Sequence, residues 1–388
     1  MRDHFFRYFG HLKNVQKYFS PGRVNLIGEH IDYNGGYVFP AAIHLGTYGL
    51  VAPREDILFR FVSLNFEQDG MIVRRIDQLE FRKEDGWANY AKGILYTLLE
   101  RGFSIPHGFD LLIKGNLPTA SGLSSSASIE VLVTFIANDM YRLELTRQEI
   151  ALFAQSVENN YMGMHCGIMD QLIITCGKKD RALLINTASL DVVEAKASFE
   201  GYQWLVLNTN YKRKTTESKY NERHQQCMDA LSILKKKFKV DHLCDINVSQ
   251  LDKVRKLIKD DVLFRRVRHV ITEQQRTLDA KRALDTQDAV TFGQLLHASH
   301  QSLKEDYEVT GYHLDTLVEA AIIFGAIGAR VTGAGFGGCA IALVPNDKMS
   351  GFMEKTNVFY QEKTKLKADF YKVTFVDGVG QIEDESRN

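Results

Sequence analysis

The chain has 388 residues, 45% apolar and 25% charged, which is the composition of a soluble globular protein with room for two or three domains. At that length the core needs no disulfide or metal staples. Lys+Arg and Asp+Glu total 48 each, and a net charge of zero removes the electrostatic case for a dedicated nucleic-acid binder or a polybasic membrane module.

Residues 1–10 are charged and aromatic, with no apolar stretch to act as a signal peptide. Residues 320–329 form the most apolar run, about half the length of a bilayer span. Five widely spaced cysteines (Cys166, Cys176, Cys227, Cys244, Cys339) include no C-x-x-C pair, which suits reduced thiols better than a disulfide framework or a zinc site. The expectation is a soluble, cytoplasmic protein.

The first dense cluster of polar groups lies in residues 20–36, where Arg23, Asn25, Glu29, His30 and Asp32 alternate with Val24, Leu26 and Ile27. A half-buried strand feeding a Gly/Asn turn would carry Glu29, His30 and Asp32 at its end. Two carboxylates and an imidazole can hold several hydroxyls at once, as a sugar requires. On these residues alone a polar turn between strands is an equal reading, and one histidine makes a metal site weak. Residues 38–43, 47–52, 57–64 and 109–114 read as short strands.

A Gly/Ser loop follows, Pro118-Thr-Ala-Ser-Gly-Leu-Ser-Ser-Ser-Ala-Ser128, with Ser124, Ser125 and Ser126 where an apolar helix should begin. First-turn N–H groups lack internal partners and the helix dipole is positive there, so the site attracts phosphate. A serine cap on a core helix remains the alternative. No Gly-Lys-Ser/Thr follows, so this is not a Walker A loop, and the protein-kinase signatures are absent. Thr146 and Glu149 form a capping box, with Leu145 as a staple, for a helix whose face carries Ile150, Phe153, Val157 and Tyr161. Glu158 is on that helix.

Asp170 sits in an apolar run without an adjacent cation, and a buried aspartate must be paired; Arg23 is one candidate partner. Such a pair would suit orienting or deprotonating a hydroxyl, although on these residues alone a structural aspartate is the favoured reading. Between Pro118 and Pro345 there is no proline, and helical spacing recurs, as at Tyr220, Cys227, Leu231 and Leu234. Gly333-Ala-Gly-Phe-Gly-Gly338 is a poor dinucleotide fingerprint, because a strand-like run follows it instead of a helix. It reads as strand, glycine loop, strand. Strand-rich and helix-rich parts mixed in this way indicate α+β, in at least two lobes.

Six segments in order resemble the GHMP small-molecule kinases, in their galactokinase branch. Gly22-Arg-Val-Asn-Leu-Ile-Gly-Glu-His-Ile-Asp-Tyr33 resembles the sugar-binding signature of that branch, Gly122-Leu-Ser-Ser-Ser-Ala-Ser128 the phosphate loop, and residues 333–338 the third motif. Gly167-Ile-Met-Asp-Gln171, Ser218-Lys-Tyr-Asn-Glu-Arg223 and Arg266-Val-Arg-His-Val-Ile-Thr-Glu273 resemble further segments.

The resemblance implies a two-lobed α+β fold. An N-terminal mixed-sheet domain with helices (1–190) would meet a C-terminal ferredoxin-like domain (191–388), with the active site between them. It implies transfer of the ATP γ-phosphoryl group to the C1 hydroxyl of galactose. The catalytic residues would be Asp170 and Arg23, with sugar contacts from Glu29, His30, Ile31, Asp32 and Tyr220. ATP phosphates would lie in Ala120, Ser121, Gly122, Leu123, Ser124, Ser125 and Ser126, and Mg²⁺ on Ser126 and Glu158. A monomer without an obligate protein partner is expected. Two departures from the family pattern are Ala120, where a second glycine is usual, and Ile31, where threonine is common and a hydroxyl contact is lost. Alternatives are an N-acetylgalactosamine or other sugar 1-kinase, or a non-catalytic sugar sensor of the same fold.

Overall fold

The computed structural model describes residues 1–118, 122–211 and 216–383. The first lobe is built on a six-stranded mixed sheet in the order Gly380–Gln381, Gln16–Asn25, Pro40–Pro53, Phe109–Gly115, Leu58–Ser63, Ile72–Arg75. Neighbours are antiparallel except Leu58–Ser63 and Phe109–Gly115, which run parallel. The strands expected at 38–43 and 47–52 are largely one strand, Pro40–Pro53, which meets Gln16–Asn25 through an irregularity between Pro21 and Gly22. A Cβ at Gly46 would stand 2.2 Å from the Ser20 carbonyl oxygen, so the close approach at this bulge requires glycine.

Both faces of the sheet are covered. Val51, Leu111 and Ile113 join the main core, whereas Leu50, Ala52 and Leu112 point to the opposite face and pack with Phe5 and Phe9 of the helix Arg2–Phe9. Two-sided burial explains why residues 109–113 lack the apolar/polar alternation of a surface strand. Helix Ser125–Tyr141 lies against the sheet and buries Val131, Leu132, Val133 and Ile136, each contributing about 1.5–3 kcal/mol. The capping box forms as expected: Thr146 accepts the Glu149 N–H, and Glu149 accepts the Thr146 N–H, at the start of helix Arg147–Asn160.

The second lobe has a four-stranded antiparallel sheet ordered Gly328–Val331, Cys339–Pro345, Tyr202–Asn208, Asp369–Lys372. Helix Met349–Thr364 connects its last two strands in sequence, and a long helical insertion connects its first two. This is the β-α-β-β-α-β arrangement of ferredoxin-like folds, as expected. The insertion includes helices Thr216–Leu234, Asp261–Asp285 and Ala289–Ser302.

Residue 190, the expected domain boundary, lies within the hairpin of Arg181–Asn186 and Val192–Lys196, which pairs with Tyr37–Val38. By sheet membership the chain crosses to the second lobe over residues 197–201. It returns near the end, where Phe375 bridges Ile43 and Gly380 pairs with Phe19. The lobes share a core in which Val24, Leu26 and Phe39 pack with Trp204, Phe292 and Ile341. No disulfide joins the five cysteines. Among the described residues no helix is long and apolar enough to cross a membrane.

Candidate active site

A cavity of about 190 Å³ opens between the lobes. Arg23 reaches it from the end of strand Gln16–Asn25, and its backbone N–H donates to the Leu123 carbonyl at 3.2 Å. The two segments can approach this closely because Gly22 has no Cβ, which would stand 2.8 Å from that oxygen. The buried guanidinium donates from Nε to Asp170 Oδ1 and from Nη2 to Oδ2, both at 2.7 Å, and from Nη1 to the Gly122 carbonyl at 2.6 Å. Burial works against the charge on Arg23, but the facing Asp170, Glu29 and Asp32 outweigh it and raise its pKa. Asp170 occupies the first turn of helix Met169–Cys176, where the dipole favours a carboxylate, and also accepts the Ser124 hydroxyl at 2.5 Å. The pairing expected from an aspartate without a neighbouring cation is therefore present.

Glu29, His30, Asp32 and Tyr220 line the same cavity. Glu29 Oε2 accepts from Arg330 Nη2 at 2.6 Å, while Arg330 Nη1 donates to the carbonyls of Asn25 and Leu26. Burial pushes the Glu29 carboxyl up, opposed by Arg330 and Arg23. Burial, reinforced by the charges of Asp170 and Glu29, moves Asp32 up to about 7. Gly167 makes room for Asp32: a Cβ at 167 would lie 1.9 Å from Asp32 Oδ2. The Tyr220 ring stands 5.5 Å from those of His30 and Tyr33.

Both ring nitrogens of His30 are engaged. Nε2 lies 3.1 Å from the Ala334 carbonyl, which can only accept, so Nε2 carries the hydrogen and Nδ1 accepts from the Tyr33 hydroxyl at 2.8 Å. That orders the chain behind it: Tyr307 donates to Tyr33, and the Cys227 thiol donates to Tyr307. Burial above all lowers the His30 pKa to about 3, in keeping with a neutral ring. Ile31 is placed elsewhere. Its side chain is fully buried in the core and is not part of the cavity lining.

On the phosphate-loop side, Gly122, Ser124, Ser125 and Ser126 line the cavity, while the Leu123 side chain is buried in the core shared by the lobes. Ala120 and Ser121 lie outside the described residues. Ser124 adopts a left-handed conformation (φ 64°) and the helix starts at Ser125. Ser126 Oγ donates to Glu158 Oε1 at 2.9 Å, and Gln171 Nε2 donates to Oε2 at 2.7 Å. Burial raises the Glu158 carboxyl, and the Asp170 charge adds to the rise. Beside Glu158, the buried Glu130 has no donor for either oxygen among the described residues. Its carboxyl is pushed well above the usual range by burial and by Glu158. A hydroxyl and a carboxylate in an oxygen-rich corner short of positive charge form a donor set that fits a hard divalent cation. Among the described residues no group of three His, Cys, Asp or Glu is placed to hold an ion alone, so such a cation needs further oxygens from a substrate.

Sequence reasoning gave no role to Met164, Cys166 or Met169, which also line the cavity, or to Arg330 behind Glu29. Arg330 had a signal: a lone charge in an apolar strand must find an acid. The lining methionines and cysteine had none, being ordinary apolar residues in sequence.

Family models match at residues 3–53 (galactokinase galactose-binding signature), 89–178 (GHMP kinases N terminal domain) and 280–351 (GHMP kinases C terminal). The galactokinase of Staphylococcus carnosus is 48% identical over 366 residues, 94% of each chain. That of Enterococcus faecalis is 45% identical over 98% of this chain and 99% of its own. The crystal structure of Lactococcus lactis galactokinase complexed with galactose superposes with a TM-score of 0.96 at 43% identity, covering 98% of each chain. Methanococcus jannaschii mevalonate kinase, at 20% identity and a TM-score of 0.66 over 94% of this chain and 98% of its own, shares the fold. With family models matching in both lobes and galactokinases aligning along nearly its whole length, the chain belongs to the galactokinases of the GHMP kinase family.

Proposed function

We propose that this protein transfers the γ-phosphoryl group of ATP to the C1 hydroxyl of α-D-galactose, giving α-D-galactose 1-phosphate and ADP. The observation that carries the mechanism is the two-pronged Arg23–Asp170 pair, set against the Ser124–Ser126 helix start on one side and Glu29 and Asp32 on the other. Phosphoryl transfer needs mainly positioning and charge stabilisation.

Asp170 accepts the C1 hydroxyl hydrogen and aims the oxygen at the γ-phosphorus. As the new P–O bond forms and the bond to the β-phosphate oxygen breaks, the proton passes to Asp170 and ADP leaves with the bridging oxygen. Arg23 locks the Asp170 carboxylate in place and offsets charge on the phosphoryl group. Gly122 and Ser124–Ser126 cradle the phosphates together with Ala120 and Ser121. Asp32, Glu29 and Tyr220 hold sugar hydroxyls. His30, its nitrogens already satisfied, forms a wall of the pocket. Ser126 and Glu158 would hold Mg²⁺, which screens the phosphate charge when bound.

We also propose a monomer, since one chain supplies the whole cavity, and a cytoplasmic location, which the disulfide-free cysteines support. The domain division we propose is 1–196 with the returning 373–383, and 197–372.

The test is ADP release from Mg-ATP with galactose, N-acetylgalactosamine, glucose, mevalonate or no acceptor. Galactose-dependent release is expected. Sugar binding by calorimetry with no release from any acceptor would replace this reading with that of a sensor.

A further inference from the structure

The segment from Arg266 to Glu273 resembles its counterpart in the family yet contributes nothing to the cavity lining. Two of its residues, His269 and Glu273, lie one turn apart on helix Asp261–Asp285 and are fully buried. Glu273 Oε1 accepts the consecutive backbone N–H groups of Gly28 (3.0 Å) and Glu29 (3.2 Å), as well as the Ser299 hydroxyl (2.6 Å). Its Oε2 accepts from Arg276 Nε at 2.7 Å. His269 Nε2 donates to the Glu29 carbonyl at 3.0 Å, and Nδ1 lies 2.9 Å from the Ser302 hydroxyl. One helix of the second lobe thus engages two successive amides and a carbonyl of the segment that carries Glu29, His30 and Asp32.

That segment has an unusual backbone. Gly28 has φ +95° and His30 has φ +61°, and a non-glycine residue in this region persists only where its surroundings over-determine it. Burial opposes the charge on Glu273, but Arg276, His269 and Arg330 overcome it and hold the carboxyl down to about 2. The clasp is therefore an ionised acceptor across the working pH range. A buried carboxylate is a poor way to gain stability compared with an apolar side chain of the same shape, which leaves its specific hydrogen bonds as the reason for its place.

We propose that Glu273, assisted by His269, is a positioning residue for the sugar side of the site. It fixes the backbone of residues 28–30 from the opposite lobe so that Glu29 and Asp32 face the hydroxyls of galactose. The proposal rests on the galactose reading above.

The experiment is steady-state kinetics of Glu273→Gln, Glu273→Leu and Ser299→Ala, with KM for galactose and for ATP measured separately and thermal unfolding recorded for each. Glu273→Gln keeps a carbonyl that can accept both amides and is expected to raise the galactose KM only a few-fold. Glu273→Leu has no acceptor and is expected to raise it about 100-fold, with the ATP KM within about threefold of wild type. Galactose and ATP KM moving together, or Leu and Gln behaving alike, would overturn the proposal. If Glu273→Leu does not fold, Glu273→Gln and Ser299→Ala carry the test, with a selective rise in galactose KM expected from each and a wild-type value from both counting against it. If the wild type proves to use another sugar, the reading of the substrate fails by itself, and the same KM comparison with that sugar still decides the role of Glu273.

Discussion

Gly167→Ala tests the sugar side of the cavity with a single methyl group. The added Cβ would lie 1.9 Å from Asp32 Oδ2, 2.3 Å from Cγ and 2.9 Å from the Asp32 Cβ. Ordinary contact begins near 3.4 Å, so the carboxylate must retreat by about 1.5 Å. Gly167 is not among the glycines with positive φ, so alanine carries no backbone penalty there and the collision is the whole perturbation. The Asp32 backbone cannot simply follow, because its carbonyl accepts the Thr187 hydroxyl at 2.8 Å. Misplacing a substrate-positioning group by about 1 Å costs roughly 100-fold in rate, or about 2.7 kcal/mol. Galactose kcat/KM is therefore expected to fall by about two orders of magnitude, with the ATP KM little changed. The assay is ADP release with galactose varied at saturating ATP, then the reverse, alongside thermal unfolding to confirm an intact fold. A folded Gly167→Ala enzyme with wild-type galactose kinetics would refute both the placement of Asp32 at the sugar and the reasoning from it.

Asp170→Ala is expected to lower kcat by about 10²–10⁴-fold while ATP binding, read by calorimetry, persists. Wild-type turnover in Asp170→Asn would show that the residue orients the hydroxyl without taking its proton. Either change leaves the buried Arg23 without its acid, so unfolding should come earlier, by up to about 3–5 kcal/mol. With Asp32 titrating at about 7, galactose kcat/KM should decline as pH falls below that value, and Asp32→Asn should flatten this limb of the profile. The same shift has a stability consequence. A carboxyl raised from 3.8 to about 7 favours the folded state at low pH, and this contribution is lost as pH rises through about 7. Asp32→Asn should therefore be the more stable protein at pH 8 by at most about 4 kcal/mol, less whatever cavity solvent screens. Equal unfolding midpoints at pH 5.5 and pH 8 in wild type and variant would contradict it. Ser126→Ala removes the hydroxyl beside Glu158 and should raise the Mg²⁺ concentration for half-activation about 10-fold or more. An unchanged Mg²⁺ activation curve would take Ser126 out of the metal site.

What could be read from the chain alone was local chemistry and the need to neutralise charge. The Thr146–Glu149 capping box depends on residues three apart, and the glycine loop at 333–338 lies between two strands that pair with each other, so both were legible. The Arg23–Asp170 pair spans 147 positions; a buried aspartate without a neighbouring cation demands a distant one, but among 48 lysines and arginines it was the resemblance that pointed to Arg23. Which side chains meet the cavity was a different matter. Ile31 stands between Glu29 and Asp32 in sequence yet turns into the core, while Tyr220, by periodicity a helix-face aromatic, reaches the cavity. His30 was expected to contact the sugar alongside Glu29 and Asp32, but Tyr33 and Ala334 engage both its nitrogens. The hairpin across residue 190 and the return of residues 380–381 to the first sheet likewise depend on partners far along the chain. Hydrogen-bond directions, φ angles and burial belong to pairs of segments that only the folded chain brings together. Composition and periodicity thus sufficed for a mixed α+β class in at least two lobes, the resemblance carried the chemistry expected of the site, and the tertiary structure decided which atoms line the cavity.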